Sequence, residues 1–276
     1  MATSGGQMGL SILSTAMWLA TASAGDGLTV VSLNAWGLPA PLAPDRAARM
    51  DLLGAWVGTL DADLVGLQEL WDGAVPLVDL DLTLSRDGGD DGLAMVSGHR
   101  LEDVAVRRFH HARSFDALKR KGVLRARLVR PSGPDVWVFV THLQAGYGRA
   151  NAVVRERQLG ELAAWLAETP GPAVVLGDFN VDERHPEDAA FLATVARMGL
   201  VDTAAAVGVT DGTYPGDGRR YDRVFARDGG GWRLTAEHAS VVQYGVAGGP
   251  ARLSDHLPLV VRLAVDPVDE APAGTQ

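Results

Sequence analysis

Val174-Val175-Leu176-Gly177-Asp178-Phe179-Asn180 reads as a buried strand that ends in polar chemistry. Three apolar residues build the strand and Gly177 closes it. Asp178 and Asn180 follow two positions apart. In extended chain, positions i and i+2 share a face, so acid and amide point together beyond the strand's C-terminal end. An acceptor that can orient water, beside a donor that can hold an oxyanion, suits hydrolysis. An Asx turn accounts for the same residues without chemistry.

Working outward, the same pattern recurs. Leu28–Leu33 alternates as a strand and stops at Asn34-Ala35-Trp36-Gly37-Leu38-Pro39. Pro44-Asp45 opens a helix with Met50, Leu53, Val57 and Leu60 as its apolar stripe. Leu64-Val65-Gly66-Leu67 is a short strand closing on Gln68-Glu69, and a further strand is expected near Leu80–Leu84. Leu93–Val96, Val104–Phe109, Val123–Val129 and Val136–Val140 continue as strands, the last running into Thr141-His142-Leu143-Gln144. Arg149–Glu168 is helical, with Leu159, Leu162 and Leu166 inward and Arg155, Glu156 and Glu161 outward. Pro186 starts a third helix with Phe191, Leu192 and Val195 inside, and strands near Tyr221–Ala226, Trp232–Val242 and Pro258–Leu263 complete the chain. The order β-α-β, strands, α-β-α, strands suggests an α/β (α+β) fold of two mixed sheets packed face to face, with helices outside.

The 276 residues divide into a leader (1–26), one domain (27–265) and a flexible tail (266–276). Residues 10–24 are apolar, uncharged and end Ala22-Ser23-Ala24, as a secretory signal does, which points to secretion; without such a signal the protein would be cytoplasmic. The absence of Cys excludes disulfides, thiol nucleophiles and zinc–thiolate sites. A net charge of −9 argues against a surface that grips nucleic acid throughout, and suits a carboxylate-rich site for a hard divalent cation.

Six polar islands border apolar strands: Asn34, Glu69, His142, Asp178 with Asn180, Asp222, and Asp255-His256. Their ordered setting is Leu33-Asn34-Ala35-Trp36, Gln68-Glu69, Thr141-His142-Leu143, Gly177-Asp178-Phe179-Asn180, Tyr221-Asp222-Arg223 and Ser254-Asp255-His256. This set resembles the endonuclease/exonuclease/phosphatase superfamily over Val30–Leu263. The resemblance implies a four-layer α/β/β/α sandwich with a metal-dependent phosphoesterase site at one end of the paired sheets. Within it, Asn34–Pro39 followed by Asp45–Met50 resembles eukaryotic neutral sphingomyelinases, with Ala35 where that type has Cys. Asp91–Ser97, Lys121-Gly122-Val123 and Thr141–Ala145 are similar to the bacterial type. The long aromatic hairpin that bacterial sphingomyelinases insert into membranes has no counterpart here.

Chemistry and resemblance together propose roles. Glu69, with Asn34 through its carbonyl, holds Mg²⁺, Mn²⁺ or another divalent cation, and Asp255 serves that metal or a second ion. His256 is the general base, since imidazole titrates near neutral pH. Asp222 orients it, as the resemblance implies. Asp178 orients the attacking water; Asn180 and His142 donate to the phosphoryl oxygens. Asp91 is the partner of His142 and Lys121 a substrate-binding residue, both by the bacterial-type match. The remaining bases from Arg107 to Arg130 read as a solvated face of paired strands.

The leading expectation is a phosphodiester hydrolase that removes a phospholipid headgroup at a membrane surface, with no obligate protein partner. The alternatives are a deoxyribonuclease on the same fold with nucleic acid as substrate, a phosphomonoesterase, or a non-catalytic lipid- or protein-binding module.

Overall fold

The structure, a computed structural model, describes residues 12–14, 27–71, 91–246 and 252–268. In chain order these form β1 (Ile12–Ser14), β2 (Leu28–Asn34), α1 (Arg46–Val57), β3 (Leu64–Gln68), β4 (Ala94–Val96), β5 (Leu101–Arg108), β6 (Gly122–Leu128) and β7 (Val136–His142). Then come α2 (Arg149–Ala167), β8 (Ala173–Asp178), α3 (Ala189–Arg197), β9 (Val201–Asp202), α4 (Thr203–Ala206), β10 (Asp222–Arg227), β11 (Trp232–Val241), β12 (Tyr244–Val246) and β13 (Leu259–Pro267). The strand expected near Leu80–Leu84 lies outside the described residues.

A six-stranded sheet runs β5-β6-β7-β8-β10-β9 and a five-stranded sheet runs β11-β13-β2-β3-β4. Each holds one parallel pair joined through a helix, β2 with β3 and β7 with β8; the other neighbours are antiparallel. Period-two alternation sorts the apolar residues into layers. Val30, Val174, Leu176 and Val224 pack between the sheets, while their neighbours point outward. Val31 and Leu33 meet Met50, Leu53 and Trp56 of α1. Val175 and Phe225 meet Leu159, Leu162 and Trp165 of α2 and Phe191 of α3. The result is the four-layer sandwich of two mixed sheets with outer helices.

The sheets approach closely at Gly66, where an added Cβ would stand 2.7 Å from Leu176 and 2.8 Å from Val140. Beyond that contact the inward-facing positions change from apolar to polar. Val30 gives way to Asn34, Val140 to His142 and Leu176 to Asp178, while Asp222 precedes Val224. One end of the inter-sheet core is therefore lined by hydrogen-bonding groups.

Several sequence expectations change. Arg155 was expected to face solvent but is 2% exposed. Its guanidinium reaches Asp188 Oδ1 at 2.8 and 3.2 Å and donates to the Gln144 and Gly146 carbonyls at 3.0 and 2.8 Å. Full pairing of the charge is what permits that burial. Leu192, expected inside, is 38% exposed: Phe191 and Val195 form the buried stripe of α3, and Leu192 stands about 100° round the helix from Phe191. The first helix begins at Arg46, with Asp45 in the left-handed region (φ 50°) and making no side-chain cap, and Leu60 falls beyond its end. β13 continues to Pro267, two residues past the expected domain boundary. Ile12–Ser14, in the segment expected to stand apart, pairs with Tyr244–Val246. Among the described residues no helix is long and apolar enough to cross a membrane.

Candidate active site

Backbone register brings the polar ends together. Asp178 of β8 lies opposite Asp222 of β10 and beside His142 of β7. Asn34 ends β2 beside Gln68, the last residue of β3. Gly177 (φ 147°) allows this approach, since a Cβ there would run into the Thr141 carbonyl on the neighbouring strand. Ser254 ties the last island in by donating to the Asn34 carbonyl at 2.6 Å and accepting from the His256 amide at 3.1 Å.

Asp178 is the hub. Its Oδ2 accepts from Asn34 Nδ2 at 3.0 Å and stands 3.5 Å from His142 Nε2 and 3.9 Å from His256 Nε2. Its Oδ1 accepts from the Asn180 amide at 2.9 Å. Asn34 Nδ2 also donates to Glu69 Oε1 at 3.1 Å, bridging two carboxylates, while its carbonyl accepts from the Trp36 amide at 2.9 Å. The carbonyl expected to reach an ion thus already has a backbone donor.

His256 Nδ1 lies 2.6 Å from Asp222 Oδ2, and the edge of the Tyr214 ring meets the imidazole at a centroid distance of 5.1 Å. Burial alone would lower the His256 pKa. The charge and hydrogen bond of Asp222, with Asp178 and Asp255 adding to them, override burial and push it up to about 10. Burial raises the pKa of Glu69, Asp178 and Asp255 from their ordinary values.

The donor set suits a hard cation at Glu69. Its Oε2 is buried without a hydrogen-bond partner, and an oxygen left in that state calls for a cation or a proton. Asp178, Asp222 and His256 also offer one ligand atom each within 4.8 Å of one another. In that second group, however, Nδ1 of His256 is already engaged by Asp222. Glu69 is the better anchor, with Asp178 bridged to it through Asn34.

Three expected residues sit differently. Lys121 is buried, and its ammonium is spent on Asp116 Oδ2, His142 Nε2 and the Leu143 carbonyl, each at 2.9 Å. It backs the site instead of facing a substrate. His142 Nδ1 has no hydrogen-bond partner, so Asp91 does not pair with it; Asp91 Oδ1 accepts from the Leu93 amide at 2.9 Å. With Nε2 accepting from Lys121, His142 is the neutral Nδ1–H tautomer. Burial, then the Lys121 charge, holds its pKa well below the ordinary value. Asn180 (φ 53°) turns its Nδ2 to the Leu143 carbonyl at 3.2 Å.

Sequence reasoning assigned no role to Asp116, Ser254 or Tyr214. Asp116 carried a signal: it is the one acid among nine bases between Arg107 and Arg130. Several of those bases are neutralised along the strands. Arg107 pairs with Glu168 at 2.6 Å and Arg127 with Asp103 at 2.8 Å, while Arg125 lies over Trp137 and Trp165 at 4.7 and 4.8 Å.

Residues 31–256 match the profile of the Endonuclease/Exonuclease/phosphatase family. Over 185 residues the chain is 31% identical to "Sphingomyelin phosphodiesterase 2" of Mus musculus, covering 58% of this chain and 42% of that protein. The chain thus spans less than half the length of that relative. Among solved structures, D. rerio TDP2 complexed with single strand DNA product superposes with a TM-score of 0.68 at 19% identity, covering 86% of this chain and 99% of that one. A mutant of beta toxin from Staphylococcus aureus with bound magnesium ions gives 0.62 at 20% identity, covering 85% and 98%. At these identities the two structures establish the shared fold.

Proposed function

The chain belongs to the Endonuclease/Exonuclease/phosphatase family, and from that premise we propose that it is a divalent-cation-dependent phosphodiesterase acting on a phospholipid headgroup. The observation that carries the reading is the line Asp222–His256–Asp178, with the unpartnered Glu69 oxygen beyond Asn34.

A water between His256 Nε2 and Asp178 Oδ2 is oriented by the carboxylate and gives its proton to the imidazole as its oxygen attacks phosphorus. The ester P–O bond opposite breaks, the leaving alkoxide takes a proton from solvent water, and the imidazolium returns its own proton to solvent. Asp222 keeps Nδ1 protonated, so that Nε2 is the basic nitrogen. Asn180 Nδ2, with a second hydrogen beyond the one given to the Leu143 carbonyl, is the donor available for charge building on the phosphoryl oxygens. When bound at Glu69, beside Asn34, Asp178 and Asp255, a cation such as Mg²⁺ or Mn²⁺ supplies Lewis-acid polarisation and the positive charge that lets His256 be neutral near pH 7.

Similarity to mouse sphingomyelin phosphodiesterase 2 supports the lipid over DNA, as does the pairing of Arg107 with Glu168 and of Arg127 with Asp103 on the strands. The likeness to TDP2 keeps a nuclease as the second reading. A panel of sphingomyelin, lysophospholipid, plasmid DNA and an aryl phosphodiester, each with Mg²⁺ and with EDTA, separates them. Lipid turnover with intact plasmid is the expected result. Nicked plasmid without lipid turnover overturns the substrate, and activity that survives chelation overturns the cation.

A further inference from the structure

The 3₁₀ turn Ser114–Leu118 has two unlike sides. Inward, Asp116 Oδ2 accepts from Lys121 Nζ at 2.9 Å and from the Ala145 amide at 2.6 Å, and Lys121 continues to His142 and the Leu143 carbonyl. Outward, Phe115 and Leu118 are 86% and 79% exposed, the two most exposed large apolar side chains among the described residues. Positions three apart eclipse on a 3₁₀ turn, so both leave from one edge.

Cations flank that edge. Arg113 and Arg120 are exposed, and the Lys119 ammonium lies over the Trp71 ring at 4.5 Å. The Arg113 guanidinium reaches the Asn151 amide oxygen at 3.5 Å. The sole acid of the segment is Asp116, turned inward and paired with Lys121. An aromatic and a leucine flanked by bases that pair with no acid among the described residues, on a chain of net charge −9, match the boundary of an anionic bilayer in both polarity and sign. Arg113 and Gln144 also bond reciprocally, at 2.8 and 3.2 Å, so the turn adjoins the loop that follows His142.

We propose that Ser114–Arg120 is where the protein seats on a lipid surface carrying anionic headgroups. Phe115 and Leu118 enter the acyl–headgroup boundary, and Arg113, Lys119 and Arg120 lie on the phosphates. The purpose of this docking rests on the lipid-substrate reading above; the binding does not, and is measured without turnover.

The experiment is co-sedimentation of the full chain, in EDTA, with phosphatidylcholine vesicles containing or lacking phosphatidylglycerol. Binding is expected to need phosphatidylglycerol and to weaken with salt. The F115D/L118D pair should lose about 10-fold or more in vesicle affinity. Neutralising Arg113, Lys119 and Arg120 to Gln should cost about fivefold for each charge. Turnover of a water-soluble aryl phosphodiester should be unchanged in F115D/L118D, which also reports an intact fold. A wild type that ignores vesicles, or binding untouched by F115D/L118D, overturns the proposal; in either case a protein partner would be the remaining occupant of the turn. Lipid hydrolysed in detergent without vesicle binding sinks the docking and spares the activity. Vesicle binding through this turn, without hydrolysis of any lipid, upholds the docking and sinks the substrate assignment.

Discussion

His256 Nδ1 and Asp222 Oδ2 stand 2.6 Å apart in a buried pocket, although β11 and β12 separate them in the chain. The hydrogen bond fixes which imidazole nitrogen faces Asp178, and so which one can take a proton. His256→Ala should lower kcat by about 10²–10⁴. Asp222→Asn should lower kcat with little change in KM. Because Asp222 raises the His256 pKa, its neutralisation should also move the acid limb of the pH–rate profile to lower pH. A profile that stays in place would remove Asp222 from this role.

Glu69→Gln keeps the bond from Asn34 and removes the charge. Cation affinity should fall by more than the roughly 100-fold typical of losing a metal ligand's hydrogen-bond partner. Calorimetric titration with Mn²⁺ measures it directly. In a thermal melt, Mn²⁺ should raise the Tm of the wild type and leave that of the variant where it was.

In cation-free protein, His256 should make stability depend on pH. Its folded pKa, about 10, exceeds the unfolded value of 6.5. The imidazolium therefore contributes stability that is complete below pH 6.5 and lost as pH rises through about 10. Urea midpoints in EDTA should show wild type ahead of His256→Gln at low pH, with the gap closing toward pH 10. A gap that widens as pH rises would contradict the assignment.

Asp188→Ala leaves the Arg155 charge buried with only backbone carbonyls as partners. The expected loss is about 3–5 kcal/mol, read from urea unfolding. Arg155 also holds the Gln144 and Gly146 carbonyls, so kcat should fall before the fold is lost. Equal stability of wild type and variant would mean that the pair is not buried as described.

Gly177→Ala should cost more than about 1 kcal/mol, since φ of 147° and the Thr141 carbonyl both oppose a Cβ. Because Asp178 is the next residue, activity should fall further than stability alone explains. Differential scanning calorimetry beside kcat tests the split.

Much of this was legible in the sequence because strand periodicity is a local property. Val30, Leu176 and Val224 announce inward positions, and the polar residue that ends each run continues the same phase, so Asn34, Asp178 and Asp222 are marked as a set before any fold is known. Lys121, Asp91 and Arg155 were misread for a common reason. Their roles depend on what stands opposite them: Asp116 and the Leu143 carbonyl for Lys121, the Leu93 amide for Asp91, and Asp188 for Arg155.

By itself, then, the sequence determined the layers and the end of the sandwich at which hydrogen-bonding groups collect, since alternation needs only neighbours along the chain. Tertiary structure alone decided that Asp222 faces Asp178 across β8 and β10 and that Asn34 bridges Asp178 to Glu69. It likewise decided that Glu69 keeps an oxygen with no partner. Strand pairing and side-chain torsions settle those contacts, and they follow from packing between segments distant in the chain, which local pattern does not encode.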